Sequence, residues 1–409
     1  MKHLIILGDG MADHPIAALG GRTPLEAAHT PAMDDLARQG INGRLQTIPH
    51  GFHPGSEVAN TAILGYDLRR VYEGRGPLEA ASIGYKMQPG DLALRCNIIS
   101  TQHGRILNHH GGHLTTEEGQ DLIRFINKQM GFGAIQLIPG IQYRHLLIVH
   151  GGSKHIITAP PHDHPGEPVA HLLPHADPAY RGTTEPGRMS PEDTAALLTL
   201  LIKRSESDLL CNEWNRSRPT PASCLWPWGG GYRPQMQTLE ERYPEVKSAA
   251  VISAVDLIRG IGRYAGMEVI HVEGATGLAD TNYEGKAQAA LEALEHHDFV
   301  YLHIEASDEA GHDGDLPLKM RTIENLDRRI VSPIISYIKE HQMPVCVALL
   351  PDHPTPVELR THVAEPVPVT IWYPGCQPDS VERYDEQSAV NGRLQMMYLQ
   401  EFMQTFMNI

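Results

Sequence analysis

Cysteine is sparse in this 409-residue chain, and the five that occur, Cys96, Cys211, Cys224, Cys346 and Cys376, are odd in number and show no C-x-x-C spacing. That argues against a disulfide framework and a thiolate metal site, and a reducing cytoplasmic setting is expected. Positive charge is also short: Lys and Arg total 34 against 49 Asp and Glu, a formal net charge of −15. That balance argues against general binding to nucleic acid or to an anionic membrane. No apolar run approaches the roughly 18 residues a spanning helix needs, and the N-terminus reads directly into a strand-like segment. Neither a membrane helix nor a signal peptide is expected. No G-x-x-x-x-G-K-[ST] occurs, which argues against a P-loop nucleotide site; the glycines of GDG, GRG and GATG read as backbone turns.

What is present is enough apolar sequence, 41 % of residues, to bury a large core, over a length that suggests two domains. Residues 1–90 and 245–409 alternate strand-like and helix-like runs, among them LIILGD, FVYLHIEA, PVCVALLP and VPVTIWYP with KAQAALEALEHHD and LKMRTIENLDRRIVSPIISYIKEHQ between them. The pattern predicts an α/β fold with a doubly wound, mostly parallel sheet. Residues 91–244 differ, being rich in His, Pro and Gly, with strand candidates LALRCNIIS and YRHLLIVHGG and a Thr-capped helix candidate TTEEGQDLIRFINKQM. They read as an inserted α+β cap domain that closes over the site, with hinges near 90 and 245.

Chemistry-bearing residues fall at the ends of strand-like runs. Asp9 follows LIILG, and Asp308 and His312 stand four residues apart in ASDEAGHDGD, so both can face one ion from one helical turn. Asp352 and His353 follow PVCVALLP; as neighbours in an extended or turning segment they point different ways. His362 precedes VPVTIWY. Ser56 follows Pro-Gly at the start of a helix-compatible run, where backbone N–H groups and the helix dipole favour an anion and a nucleophile that receives phosphate. Each piece has a plainer reading. An Asp-x-x-x-His pair also occurs on solvated helix faces, and Asp9 and Ser56 also suit helix caps. Their joint occurrence, at edges that a doubly wound sheet brings together, favours a metal site.

These motifs resemble the archaeal-type, cofactor-independent phosphoglycerate mutases of the alkaline phosphatase superfamily, through GDGMAD, GSEVANTAILGYD, GRGPLEAASIG, VISAVDLIRGIGRYAGM, GATGLADTNYEGKAQAALEAL, ASDEAGHDGD, DHPTPVELRTH and EPVPV. The resemblance implies an alkaline phosphatase-like catalytic domain and a small phosphorylated substrate. It also implies two divalent metal ions, one held by Asp308, His312 and His362, the other by Asp9, Asp352, His353 and the nucleophile Ser56. A dication would lower the pKa of the Ser56 hydroxyl, and a phosphoserine would pass phosphate to another hydroxyl. Carboxylate and imidazole ligands suit Mn²⁺, Zn²⁺ or Fe²⁺.

The chain departs from the family in the cap. Where relatives carry Asp-Arg-Arg-Ala-Gly-Arg, it reads Asn108-His109-His110-Gly111-Gly112-His113. Arginine holds an anion by a charged two-pronged fork and neutral histidine does not, so His109, His110 and His113 are expected to give a loop with partial substrate contact. Arg75 and Lys319 are the better candidates for holding an anion, ordinary salt bridges being their alternative. Trp226 and Trp228, in CLWPWGGGYRP, suit a pocket wall and a packing role equally. Mutase chemistry is the leading expectation. Its rivals are a kinase-like relative acting on a small alcohol such as homoserine, and a catalytically silent binding protein.

Overall fold

The apolar runs LIILG, FVYLHI, VCVALL and VPVTIW form strands and are buried at every position, as strands covered on both faces must be. The computed structural model describes residues 1–130, 133–184 and 186–409. Among these, contacts divide the chain into two units, Met1–Tyr72 with Gln235–Ile409, and Glu73–Pro234. The change of sequence texture puts the junctions near 90 and 245. The helix Arg75–Ser82 nevertheless goes with the second unit, because Ala80 and Met87 pack there against Ala93, Leu146 and Ile148.

The first unit is built on an eight-stranded sheet in the order Glu268–Ile270, Ala249–Ile252, Phe299–Ile304, Lys2–Gly8, Val345–Leu350, Val367–Trp372, Ile41–Gln46 and Gln395–Tyr398. Only Val367–Trp372 runs against its neighbours; every other pairing is parallel. The fold is thus an α/β one around a mostly parallel sheet. Leu4, Ile6, Val300, Leu302, Val347 and Leu349 fill its core with the helices Tyr283–His296 and Ser332–Glu340.

One long helix-like run is not a uniform helix. Leu316–Leu326 passes through a π turn, Asp327–Val331, before Ser332–Glu340 resumes. Pro333 has no N–H for the ordinary i→i−4 bond, and a slip of one residue just ahead of it accommodates the missing donor.

The second unit is α+β. Asp91–Gln102 pairs antiparallel with Arg105–Asn108, Arg144–His150 and Cys224–Gly231, and Ile135–Ile141 flanks Arg144–His150. The helices Thr116–Gln129 and Pro191–Cys211 contribute Leu122, Ile123, Leu198 and Leu201 to a core with Leu94, Leu147 and Leu225. All five cysteines are free. No described helix is long and apolar enough to cross a membrane.

Candidate metal centre

Three adjacent parallel strands, Phe299–Ile304, Lys2–Gly8 and Val345–Leu350, end at one edge of the sheet, and the chain leaves them at Glu305, Asp9 and Pro351. That edge therefore collects Asp308, Asp9, Asp352 and His353. The reversed strand Val367–Trp372 begins where the others end, which is how His362, ahead of it in sequence, reaches the same place. Gly10 has φ +59°, and a Cβ there would stand 2.5 Å from Asp308 Oδ1 and 2.6 Å from Thr355 Oγ1. Only glycine lets the backbone after Asp9 pass so close.

Ser56 is the first residue of the helix Ser56–Ile63, with Gly55 as its N-cap and no side chain capping the helix start. The hydroxyl is thus not used as a cap; Ser56 Oγ lies 3.2 Å from His353 Nε2. Asn60, one turn on, donates through Nδ2 to Ser56 O at 2.8 Å and to Asp352 Oδ2 at 2.9 Å, while its Oδ1 accepts from Tyr301 Oη at 2.5 Å. Asp352 Oδ1 accepts from the backbone N–H groups of Gly10 and His353, at 3.0 and 2.9 Å.

Two overlapping sets of possible ligand atoms result. Asp9, Asp352 and His353 form one, Asp308, His353 and His362 the other, each with its atoms within 4.8 Å of one another. His353 Nε2 is 3.4 Å from Asp352 Oδ2 and 3.6 Å from Asp9 Oδ1. His312 joins the second set, its Nε2 being 3.3 Å from Asp308 Oδ2 and 2.8 Å from His362 Nε2.

The donor atoms suit a divalent cation. His312 Nδ1 faces Arg360 O at 3.1 Å and His362 Nδ1 faces Pro54 O at 3.4 Å. A carbonyl can only accept, so both Nδ1 atoms carry hydrogen and both Nε2 atoms point at one place. Two Nε2 atoms facing one another beside a carboxylate need positive charge between them, from a proton or from a cation that takes its place. Asp9 Oδ1 is buried without a hydrogen-bond partner, although Oδ2 is engaged by His303 Nε2 at 2.9 Å. An unpartnered buried carboxylate oxygen is costly unless a cation meets it.

Charge tells the same story. Burial, and then Asp352, Asp308 and Glu305, push the Asp9 carboxyl well above its usual range. Burial with Glu309 and Asp308 nearby raises Glu305 to about 8. Burial also works against ionised Asp308, but hydrogen bonds to His312 and His362 hold it well below the usual carboxylate range. The Asp308 carboxylate in turn raises His312 to about 9. The edge is a concentration of negative charge partly offset by protons, where a metal would displace them.

Asp9, Ser56, Asp308, His312, Asp352, His353 and His362 thus converge within the first unit. The remaining candidates have other surroundings. Lys319, expected to hold an anion, is fully buried and directs Nζ at Ala12 O, Asp13 Oδ2 and Thr355 O, at 3.1, 2.7 and 2.8 Å. Its three protons are spent on the loops that carry Asp9 and His353, which gives it a scaffolding place. Arg75, in the second unit, pairs with Glu79 at 2.9 Å and lies 5.6 Å from the centre of the Trp228 ring. Arg95 shares Glu79 at 2.8 Å and stands over the same ring at 5.4 Å.

His109, His110 and His113 also belong to the second unit. The rings of His110 and His113 stack at 3.9 Å, and His110 Nδ1 accepts from His113 N at 3.0 Å, so that nitrogen is unprotonated. Burial and the neighbouring histidines lower both His109 and His110. The loop carries imidazole without fixed charge. Trp226 is a core residue donating to Ala159 O at 2.8 Å; Trp228 donates to Asn97 Oδ1 at 3.1 Å.

Sequence reasoning missed four residues of the centre: Asn60, Tyr301, His303 and Thr355. Asn60 shares a helix face with Ser56 at i+4, and His303 is a polar interruption of FVYLHIEA, which are the available signals. His303 Nδ1 meets Ser253 Oγ at 3.2 Å, and burial lowers the ring to about 4, so it stays neutral while holding Asp9.

Comparison with known proteins gives a consistent picture. A sequence profile for 2,3-bisphosphoglycerate-independent phosphoglycerate mutase matches residues 37–215. The protein of that name from Methanosarcina barkeri is 45 % identical over 401 residues, covering 96 % of each chain. Among solved structures, a protein from Pyrococcus horikoshii aligns with a TM-score of 0.80 at 32 % identity, covering 100 % of this chain and 96 % of its own. A cofactor-independent phosphoglycerate mutase from Thermoplasma acidophilum aligns with a TM-score of 0.67 at 26 % identity, covering 100 % and 99 %.

Proposed function

The chain belongs to the 2,3-bisphosphoglycerate-independent phosphoglycerate mutase family, and from that premise we propose that it interconverts 3-phosphoglycerate and 2-phosphoglycerate through a phosphoserine at Ser56. The observation that carries this reading is the position of Ser56, at the first turn of a helix whose start no side chain caps, 3.2 Å from a histidine of the candidate metal centre. Backbone N–H groups and the helix dipole at that point favour a phosphoryl group.

In one direction Ser56 Oγ attacks the phosphorus of 3-phosphoglycerate. A P–Oγ bond forms, the bond to the C3 oxygen breaks, and that oxygen takes up a proton equivalent to the one the serine gives up. The C2 hydroxyl of the retained glycerate then attacks the phosphoserine, the P–Oγ bond breaks, and a proton returns to Ser56. The net result moves one phosphoryl group between two hydroxyls of one molecule.

We assign Asp308, His312 and His362 to one divalent ion and Asp9, Ser56, Asp352 and His353 to another; the oxygen and imidazole donors suit Mn²⁺, Zn²⁺ or Fe²⁺. Bound cations supply the positive charge that makes ionised serine accessible at neutral pH and that offsets charge on the transferring group. Asn60 keeps Asp352 and the Ser56 peptide in register, and Lys319 ties together the loops on which Asp9 and His353 sit. Arg75, paired with Glu79 at 2.9 Å, is the remaining candidate for holding an anion; Arg75→Ala would raise KM for 3-phosphoglycerate while leaving metal affinity unchanged.

Ser56→Ala tests the reading. Turnover of 3-phosphoglycerate should fall by ~10⁴-fold or more while the fold persists, as expected when a covalent nucleophile is lost. Wild type quenched during turnover should show a phosphoserine at position 56 by mass spectrometry. Near-normal turnover of the alanine variant would end the assignment. An ATP-dependent homoserine phosphorylation assay run alongside separates the kinase-like alternative.

A further inference from the structure

Thr355 lies between Asp308 and His353, which the two-ion reading assigns to different ions, and is itself a ligand of neither. Its Oγ1 is 2.5 Å from Asp308 Oδ1 and 3.2 Å from His353 Nδ1, and the residue is fully buried. We propose that Thr355 is a positioning residue that couples the two sets, its hydroxyl holding His353 with Nδ1 protonated and Nε2 open toward Ser56 while it fixes the Asp308 carboxylate. The inference rests on the metal reading of this edge.

The hydrogen-bond inventory leaves one arrangement. A hydroxyl has a single proton to give, and ionised Asp308 can only accept, so the Thr355 proton goes to Asp308 Oδ1. The contact with His353 must then run the other way, from Nδ1–H to a lone pair on Oγ1. A neutral ring with Nδ1 protonated has its remaining lone pair on Nε2, the atom facing Ser56 Oγ at 3.2 Å, Asp352 Oδ2 at 3.4 Å and Asp9 Oδ1 at 3.6 Å. Imidazole binds metal through such a lone pair, and the group bonded to the other nitrogen decides which one is available. For His312 and His362 a backbone carbonyl fills that role. For His353 it is a side chain that also grips Asp308, assigned above to the other ion.

The hydroxyl's role is separable from the loop's. The backbone of Thr355 donates to Ala12 O and accepts from Lys319 Nζ, and both bonds survive replacement of the side chain. Thr355→Val removes the oxygen at nearly constant shape, and Thr355→Ser retains it.

The test is calorimetric titration of metal-free protein with Mn²⁺ alone. Wild type, T355V, T355A, T355S and H353A are compared, with ¹⁵N-histidine spectra of the metal-free forms recorded in parallel. Thr355→Val and Thr355→Ala should each weaken Mn²⁺ binding by about 10–100-fold, the usual effect of losing a partner behind a metal ligand, and Thr355→Ser should recover most of the loss. The His353 signal, identified by its absence in H353A, should show Nδ1 protonated in wild type and T355S and a mixture of tautomers in T355V. A pure packing role would not move that spectrum. Wild-type Mn²⁺ affinity in T355V and T355A, with H353A weakened, overturns the Thr355 proposal alone. Unchanged affinity in H353A overturns the metal reading as well.

Discussion

Replacing Lys319 by methionine separates a scaffolding lysine from a substrate-binding one. In the folded protein its ammonium is sealed from solvent and pairs with Asp13, itself buried, at 2.7 Å. Burial pushes the lysine pKa down, and Asp13 opposes that shift. Methionine fills much of the space but leaves Asp13 Oδ2 with only the Val357 N–H, at 3.1 Å, and leaves the carbonyls of Ala12 and Thr355 without this donor. Removing one partner of a buried pair costs about 3–5 kcal/mol, because the other charge is stranded. For a unit near 250 residues, at about 2–4 °C per kcal/mol, the melting temperature of the first unit should fall by ~6–20 °C. Adding Asp13→Asn should return part of that loss, since the stranded charge is gone. Thermal melts of K319M, D13N and the double variant, read by circular dichroism, supply the cycle. A substrate-binding lysine predicts the reverse: wild-type melting in K319M with KM for 3-phosphoglycerate raised. That outcome would refute the reasoning.

Further outcomes can be stated for the metals and for pH. Chelation should abolish mutase activity and Mn²⁺ should restore it. Mn²⁺ at a hundredfold excess over its Kd should also stabilise the fold by ~2.7 kcal/mol, and a thermal shift absent on Mn²⁺ addition would contradict a site in the native state. His312→Ala and His353→Ala should each weaken Mn²⁺ binding, with the larger losses at different steps of a two-step isotherm; a single shared loss would argue against two ions. In the second unit, burial lowers His145 to about 3 from its ordinary 6.5, and its Nδ1 accepts from Gly140 N. The unfolded chain takes up this proton below about pH 6.5 and the folded chain does not. Its contribution is therefore intact above that pH and is lost as pH falls toward 3, by roughly 1.4 kcal/mol per unit. His145→Asn, which keeps an acceptor but does not titrate, should flatten the acid limb of urea-unfolding stability against pH; an unchanged slope would count against this account.

The alternation of apolar runs and helical patterns, by itself, determined the α/β class and the mostly parallel sheet. It also determined where Asp9, Asp308, Asp352 and His353 would emerge, since a residue just past a buried strand lies at that strand's carboxyl end whatever surrounds it. Ser56 at a helix start was legible for the same local reason. Pairing was not. That strands Phe299–Ile304, Lys2–Gly8 and Val345–Leu350 are neighbours, and that Val367–Trp372 is reversed so that His362 arrives from the opposite direction, follows from packing among segments far apart in sequence. The fate of Lys319 was equally hidden: a lysine after a metal motif looks like an anion ligand until three acceptors from two separate loops enclose it. Thr355 shows the limit most plainly. Its position in DHPTP is ordinary, and only the fold puts one hydroxyl within reach of both Asp308 and His353, because a hydrogen bond depends on distances of a few ångströms that no local pattern encodes.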